Sequence, residues 1–171
     1  MENLSGQQIK GYELKERVAA GGFGAVYRAL QSTVGREVAI KVILPGLANK
    51  PDFIRRFEAE AQLIARLEHM NIVPLHDYWR DPDGAYLVMR YLRGGSLHEY
   101  IQKQGVLNME ESVNLFSQVA RGLHVAHRNQ VIHRDIKPSN LILDTEGTIW
   151  VTDFGLARSE GEDLTHTGDI V

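Results

Sequence analysis

The spacing of apolar residues changes near Leu92, and this change limits the folds open to the chain. Before it, short runs rich in β-branched residues dominate: GYELKERV, AVYRAL, EVAIKVI, and the pair NIVPLHDYW and AYLVMRYL around the turn DPDG. These predict an antiparallel sheet. One helix interrupts them, from about Asp52 to Glu68, with Phe53, Phe57, Ile64 and Leu67 on one face and Glu60 inside that apolar stripe. After Leu92 the pattern is helical. GGSLHEYIQKQG offers Ser96 as N-cap, Glu99 three residues on, and Gly105 as a stop. Asn108 with Glu111 opens a longer helix in which Ser112, Phe116, Val119, Leu123 and Ala126 share a face. Short strands at VIH, LILD and IWVTD follow. The chain reads as α+β, a sheet with one helix followed by a mainly helical part.

The glycine stretch in RVAAGGFGAVYRAL lets backbone N–H groups approach phosphates closely, because no side chain intervenes. A dinucleotide-binding turn would need a helix next, whereas β-type residues continue through Val26, Tyr27 and Ala29. The stretch is either a hairpin tip folding over a phosphate chain or an ordinary hairpin turn. Lys41 sits in VAIK between apolar neighbours, so it either faces solvent or has a partner. A carboxylate buried in the stripe of the first helix is costly without a cation, which makes Glu60 its natural partner. In VIHRDIKPSNLIL, Asp135, Lys137 and Asn140 supply a base, a cation and an amide oxygen within one loop. That set suits phosphoryl transfer, with Asp135 accepting a hydroxyl proton, Lys137 neutralising charge and Asn140 ligating magnesium. Asp153 in VTDFGLAR adds a second hard oxygen ligand, and Phe154 is an apolar anchor beside it.

Composition narrows the field further. A 171-residue chain with 43% apolar content buries roughly 70% of its unfolded surface, so a globular fold is expected. With 19 basic and 22 acidic side chains, a net charge of −3 and no basic run, nothing points to nucleic acid or anionic lipid. Cysteine is absent, which removes disulfides and thiol chemistry and suits a reducing, cytoplasmic setting. MENLSGQQIKGYELK has no secretory apolar core, and no apolar run approaches about 18 residues, so no membrane segment is expected. His124 and His127 lie one helical turn apart without a carboxylate or cysteine partner, and read as surface or packing residues.

Taken in order, GGFGAV, VAIK, Glu60, HRDIKPSN and DFG resemble the motifs of a eukaryotic-type serine/threonine protein kinase, over roughly Ile9 to Val171. Lysine two residues after the loop aspartate is the serine/threonine variant. RFEAEAQLIARLEHMNIVPLHDYW resembles bacterial members of the family. The resemblance implies a protein-kinase-like fold with an extension over 1–9, an N-lobe and hinge over 10–92, and a partial C-lobe over 93–171 that ends within the activation segment. It implies in-line transfer of the γ-phosphate of ATP, with Mg, to Ser or Thr of a protein substrate. Asp135, Lys137, Lys41 and Glu60 would form the catalytic set, and Asn140 and Asp153 would hold the metal. Val18, Gly21, Gly22, Phe23, Gly24 and Val26 would roof the nucleotide. Ala39 would lie above adenine and Ile142 below it, Met89 would limit the back of the pocket, and the backbone of Arg90 to Leu92 would pair with the base.

Some positions depart from the family pattern. Ala19 stands where the first loop glycine is usual, Arg90 where relatives often carry an acid, and Met70 where proline is common. Ser96 lies near the expected ribose position, although capping explains it equally well. By resemblance, His133 packs on Phe154 and Arg134 meets a phosphate on the activation segment, with Thr165 or Thr167 as autophosphorylation acceptors and Ser159 a weaker one. The alternative is that both threonines are exposed and unmodified. Kinases continue beyond DFG into helices that bind the peptide substrate, so the helix opening at Asn108 is expected to expose Phe116. Two other readings follow: an ATP-binding regulatory module, and a fragment lacking the peptide-binding lobe.

Overall fold

A computed structural model of the chain describes residues 2–22 and 24–154. Its first half is a six-stranded antiparallel sheet in the order β1-β2-β3-β4-β6-β5. The strands are β1 Gln8–Ile9, β2 Tyr12–Gly21, β3 Gly24–Gln31, β4 Arg36–Ile43, β5 Leu75–Asp81 and β6 Gly84–Arg90. Period-two alternation sets the faces of β4: Val38, Ile40 and Val42 are buried, while Glu37, Ala39 and Lys41 turn the other way. The buried face joins Tyr12, Leu14, Tyr27 and Val88, with Trp79 stacked between Tyr12 and Tyr86 at ring separations of 5.9 and 4.8 Å. The expected extension over 1–9 joins this sheet, since Gln8–Ile9 pairs with β2 and Leu4 packs on the same cluster.

A short helix α1, Pro45–Ala48, leads into α2, Pro51–Ala65. Phe53, Phe57, Ala61 and Ile64 form the buried face of α2. It ends three residues before the expected Glu68 because the Arg66 and Leu67 N–H groups turn back to the Leu63 and Ile64 carbonyls. Leu67 is still buried, so the apolar pattern outlasts the helix.

The second half contains α3, Leu97–Gln104, and α4, Met109–Arg128, each opened by the capping box that its sequence predicts. Phe116 is 72% exposed beside Val113 and Met109, as expected, but the buried face of α4 is rotated from the one its spacing predicts: Gln118 and Gly122 join Val119 and Ala126 inside. Gly122 explains the rotation, because a Cβ there would stand 3.0 Å from the Asn71 carbonyl oxygen. The helix therefore docks on Asn71, whose Nδ2 donates to Gln118 Oε1 at 3.2 Å and to the Ile149 carbonyl at 2.9 Å.

Residues 131–133 are not a strand, contrary to the VIH expectation; Val131 and His133 are buried individually, and the Val131 N–H returns to the Ala126 carbonyl. A two-stranded sheet follows, β7 Leu141–Leu143 against β8 Ile149–Val151. One apolar cluster runs from Phe57 and Ile64 through Ile72 to Val119, Leu141, Val151 and Phe154, so both halves share a core. No helix among the described residues is long and apolar enough to cross a membrane.

Candidate active site

Where the two halves meet, a cavity of about 540 Å³ opens under the β2–β3 hairpin. Val18, Ala19, Val26 and Ala39 line its upper side, Met89, Arg90 and Leu92 its back, and Ile142 its floor. Thr152 Oγ1 contacts Met89 Sδ at 3.7 Å and braces the back wall. The Arg90 N–H is already engaged by the Pro74 carbonyl at 3.1 Å, which leaves any pairing with a base to the other backbone groups of 90–92. Its guanidinium stacks 4.8 Å from the centre of the Trp150 ring, so an acid at this position is not needed for the fold. Ala19 pairs with Val26 within the β2–β3 ladder, a strand position that does not use the freedom of a glycine.

A second cavity of about 350 Å³ adjoins the first and holds most of the polar residues that the sequence singles out. Gly21, Gly22 and Gly24 lie above it, with Lys41, Asp135, Lys137, Asn140 and Asp153 around the rest. Gly24 is required for packing: a Cβ there would fall 1.9 Å from the Val42 carbonyl oxygen. Gly21 and Gly22 face open space. Phe23, Ser159, Thr165 and Thr167 lie outside the described residues.

The loop below is fixed by its own hydrogen bonds. Pro138–Asn140 forms a 3₁₀ turn with proline at its first position, where no N–H is needed. Asn140 Nδ2 donates to the Asp135 carbonyl at 2.8 Å and to Asp135 Oδ2 at 3.2 Å, directing its amide hydrogens inward and leaving Oδ1 for a further partner. Lys137 Nζ stands 2.9 Å from the same Oδ2. The Asp135 N–H donates to His133 Nδ1 at 3.2 Å, which requires the other ring nitrogen, 2.7 Å from the Thr152 carbonyl, to carry the proton. Burial pushes the His133 pKa down, against smaller opposing effects of the Thr152 bond and of Asp135 and Asp153. The ring packs 4.7 Å from Phe154. Arg134 and Asp153 adopt φ values of 63° and 60°, a left-handed conformation costing of order 1 kcal/mol or more per residue, which the surrounding packing must offset.

The Lys41–Glu60 pair expected from the sequence is not formed. Lys41 Nζ lies 3.0 Å from Asp153 Oδ1, and Glu60 Oε1 lies 3.4 Å from Arg134 Nη1. The cause is positional. Glu60 borders the buried face of α2 and, with Leu63 and Ile64, lines a small cavity of about 130 Å³ whose other wall holds Val131, Arg134 and Phe154. Lys41 meanwhile faces the DFG aspartate directly across the cleft. Both carboxylates thus have cations, as half-buried charges require, but in exchanged pairs.

Reasoning from sequence missed Trp150 as a support for Arg90, and it missed Glu16, Arg17 and Arg93 at the mouth of the larger cavity. No local pattern marks them. His124 and His127 are exposed on α4. Among the described residues, no group of three His, Cys, Asp or Glu is placed to hold a metal ion. The donor set near the smaller cavity is instead one carboxylate, Asp153, and one amide oxygen, Asn140, which suits magnesium when phosphate oxygens and water complete its shell. The two adjoining cavities run from a slot lined by Val18, Val26, Ala39, Met89 and Ile142 to an end lined by Lys41, Asp135, Lys137, Asn140 and Asp153.

A family profile described as "Protein kinase domain" matches residues 12–168. The serine/threonine-protein kinase PrkC of Bacillus subtilis is 41% identical over 98% of this chain, covering 26% of that protein. The serine/threonine-protein kinase PknA of Mycobacterium tuberculosis is 36% identical over 94% of the chain, covering 38% of that protein. A probable serine/threonine-protein kinase of Clostridium perfringens is 37% identical over 94% of the chain, covering 24% of that protein. The chain thus spans between about a quarter and two fifths of the length of these relatives. Similarity over nearly the whole chain, with a profile match across both halves of the fold, places it in a family: the chain belongs to the protein kinase domain family.

Proposed function

We propose that this chain carries the ATP site and phosphoryl-transfer centre of a serine/threonine protein kinase. The observation that carries the reading is the convergence of Lys41, Asp135, Lys137, Asn140 and Asp153 on one cavity beneath the glycine hairpin. Adenine would occupy the apolar slot between Ala39 and Ile142, with Val18 and Val26 above and Met89 behind, and with backbone of Arg90 to Leu92 at its edge. The triphosphate would lie under Gly21, Gly22 and Gly24, with Phe23, outside the described residues, assigned to the same roof by the resemblance alone. Asn140 and Asp153 would hold magnesium, which when bound neutralises charge on the phosphates.

Asp135 would accept the proton of a substrate Ser or Thr hydroxyl as its oxygen forms a bond to the γ-phosphorus and the bond to ADP breaks. Lys137, already 2.9 Å from Asp135, would balance charge on the transferred group. Lys41 would hold the phosphates, and Glu60 would orient Lys41 once released from Arg134. The protein substrate, autophosphorylation at Thr165 or Thr167, a cytoplasmic setting, and the division into an extension, an N-lobe and a partial C-lobe belong to the same proposal.

A second reading, an ATP-binding module without transfer, is favoured by one observation: Lys41 is held by Asp153 and Glu60 by Arg134, not by each other. Titration calorimetry with ATP and Mg²⁺, run beside a labelled-phosphate assay on a Ser/Thr-containing protein, separates them. Binding with transfer supports the kinase reading, binding without transfer the module, and absence of binding contradicts both.

A further inference from the structure

Four charged side chains form a continuous chain whose two ends, Glu16 and Arg93, line the larger cavity. Arg28 Nε donates to Glu16 Oε1 at 2.7 Å, Arg28 Nη1 donates to Glu37 Oε1 at 2.7 Å, and Arg93 Nη2 donates to the other oxygen of Glu37. The members come from β2, β3, β4 and the segment just after β6, so the chain crosses the sheet from the roof strand to the connector. Signs alternate along it. Glu37 divides its carboxylate between two guanidiniums, which hold its pKa below the ordinary carboxylate range, the Arg93 hydrogen bond first.

Both ends of this chain sit where they matter mechanically. The pairing of β2 with β3 shifts register between Leu14 and Glu16 and again between Arg17 and Ala19. From Lys15 to Gly21 the strand is exposed. A strand with such irregularities bends locally, so the hairpin that it carries can tilt about this point. Arg28 grips Glu16 at the first shift. At the other end, Arg93 precedes Gly94, whose N–H donates to the Leu143 carbonyl at 3.0 Å and whose backbone approaches so closely that a Cβ would fall 2.5 Å from that oxygen. Arg93 is therefore anchored to the lower half of the molecule.

We propose that Glu37 is a positioning residue which, with Arg28 and Arg93, latches the roof strand to the connector and so sets how long an adenine nucleotide stays in the cleft. The proposal rests on the nucleotide reading of the cavity. The latch is exposed at its ends, Glu16 and Arg93, and half-buried at Arg28 and Glu37, so its outer pairs make cleft opening sensitive to ionic strength, because salt screens exposed charges far more than buried ones. Reading the cleft as a nucleotide site assigns none of these four residues a role.

The test measures dissociation of the fluorescent nucleotide mant-ADP from the whole chain by stopped flow, for wild type, Glu37→Gln, Arg93→Gln and the double variant. Measurements are made at about 0.1 M and about 1 M salt, between which the screening length falls from about 10 Å to about 3 Å. Each single change should speed dissociation about two- to five-fold at the lower salt. The double variant should add little to either single change, and all four proteins should converge at high salt. Amide hydrogen exchange over Lys15 to Gly21 without nucleotide gives a second readout, expected to accelerate in Glu37→Gln. Wild-type exchange and wild-type dissociation in both single variants overturn the latch, as do additive effects that ignore salt. Accelerated exchange in a chain that binds no mant-ADP upholds the tie between roof strand and connector but overturns the nucleotide reading, and with it the control of residence time.

Discussion

Lys41 Nζ lies 3.0 Å from Asp153 Oδ1, so the ammonium of β4 rests on the aspartate of the DFG triplet rather than on α2. Each side chain of this pair is about three-quarters buried, with 21% and 25% exposure. That burial makes the partnership consequential, because a carboxylate there needs either this ammonium or a metal ion to balance it. The same residue that would bind magnesium is thus held in place by the same lysine that would bind phosphate.

Replacing Lys41 with Met should weaken ATP binding about ten-fold or more, the worth of a charge-assisted hydrogen bond of about 1.5–3 kcal/mol. Calorimetric titration of both proteins with ATP and Mg²⁺ checks this. Equal affinities would remove Lys41 from the site.

The glycines of the hairpin should separate by role. Gly24→Ala forces a Cβ to within 1.9 Å of the Val42 carbonyl oxygen, so β3 and β4 must part, at a cost of about 2–3 kcal/mol. Gly22→Ala meets open space and should change stability by less than about 0.5 kcal/mol. Denaturant unfolding of the two variants reads the difference directly.

His133 makes stability pH-dependent. Its pKa in the folded chain is depressed below the ordinary 6.5, first by burial. Above that value the ring is neutral in both states. As pH falls through 6.5 the unfolded chain takes up the proton first, so stability declines until the folded-state pKa is reached and then levels off. Protonation also puts a hydrogen on Nδ1, which now accepts the Asp135 N–H. His133→Phe should start from lower stability and lack this slope, measured by unfolding between about pH 7 and pH 5.

Two phenylalanines should answer oppositely to truncation. Phe57 is fully buried in the shared core, and Phe57→Ala should cost about 3–5 kcal/mol. Phe116 is 72% exposed, and Phe116→Ser should change stability by less than about 0.5 kcal/mol while reducing self-association in light scattering.

What the sequence reveals, and what it hides, divides along the range of the interactions. The capping boxes at Ser96 and Asn108 are legible because both partners lie within one helical turn. The alternation of β4 correctly puts Ala39 and Lys41 on the face opposite Val38 and Ile40. The Asp135, Lys137 and Asn140 cluster is legible for the same reason, since one short loop holds all three. The partner of Lys41 is not, because Glu60 and Asp153 are both distant carboxylates and only the placement of α2 decides between them. The face of α4 is legible only in part: Phe116 is exposed as expected, but helical spacing alone does not show that Gln118 and Gly122 turn inward to meet Asn71. The chain from Glu16 to Arg93 is invisible in sequence for a similar reason: its four members meet only once the sheet has formed.

The most direct test of the account is the Mg²⁺-dependent transfer of labelled γ-phosphate from ATP by the wild-type chain and by Asp135→Asn, with ATP affinity measured on the same preparations. Asp135→Asn should retain ATP affinity and lose transfer by about 10²- to 10⁴-fold, the contribution expected of a positioned general base. Equal transfer by the two proteins would contradict the assignment of Asp135, and with it the proposed reaction.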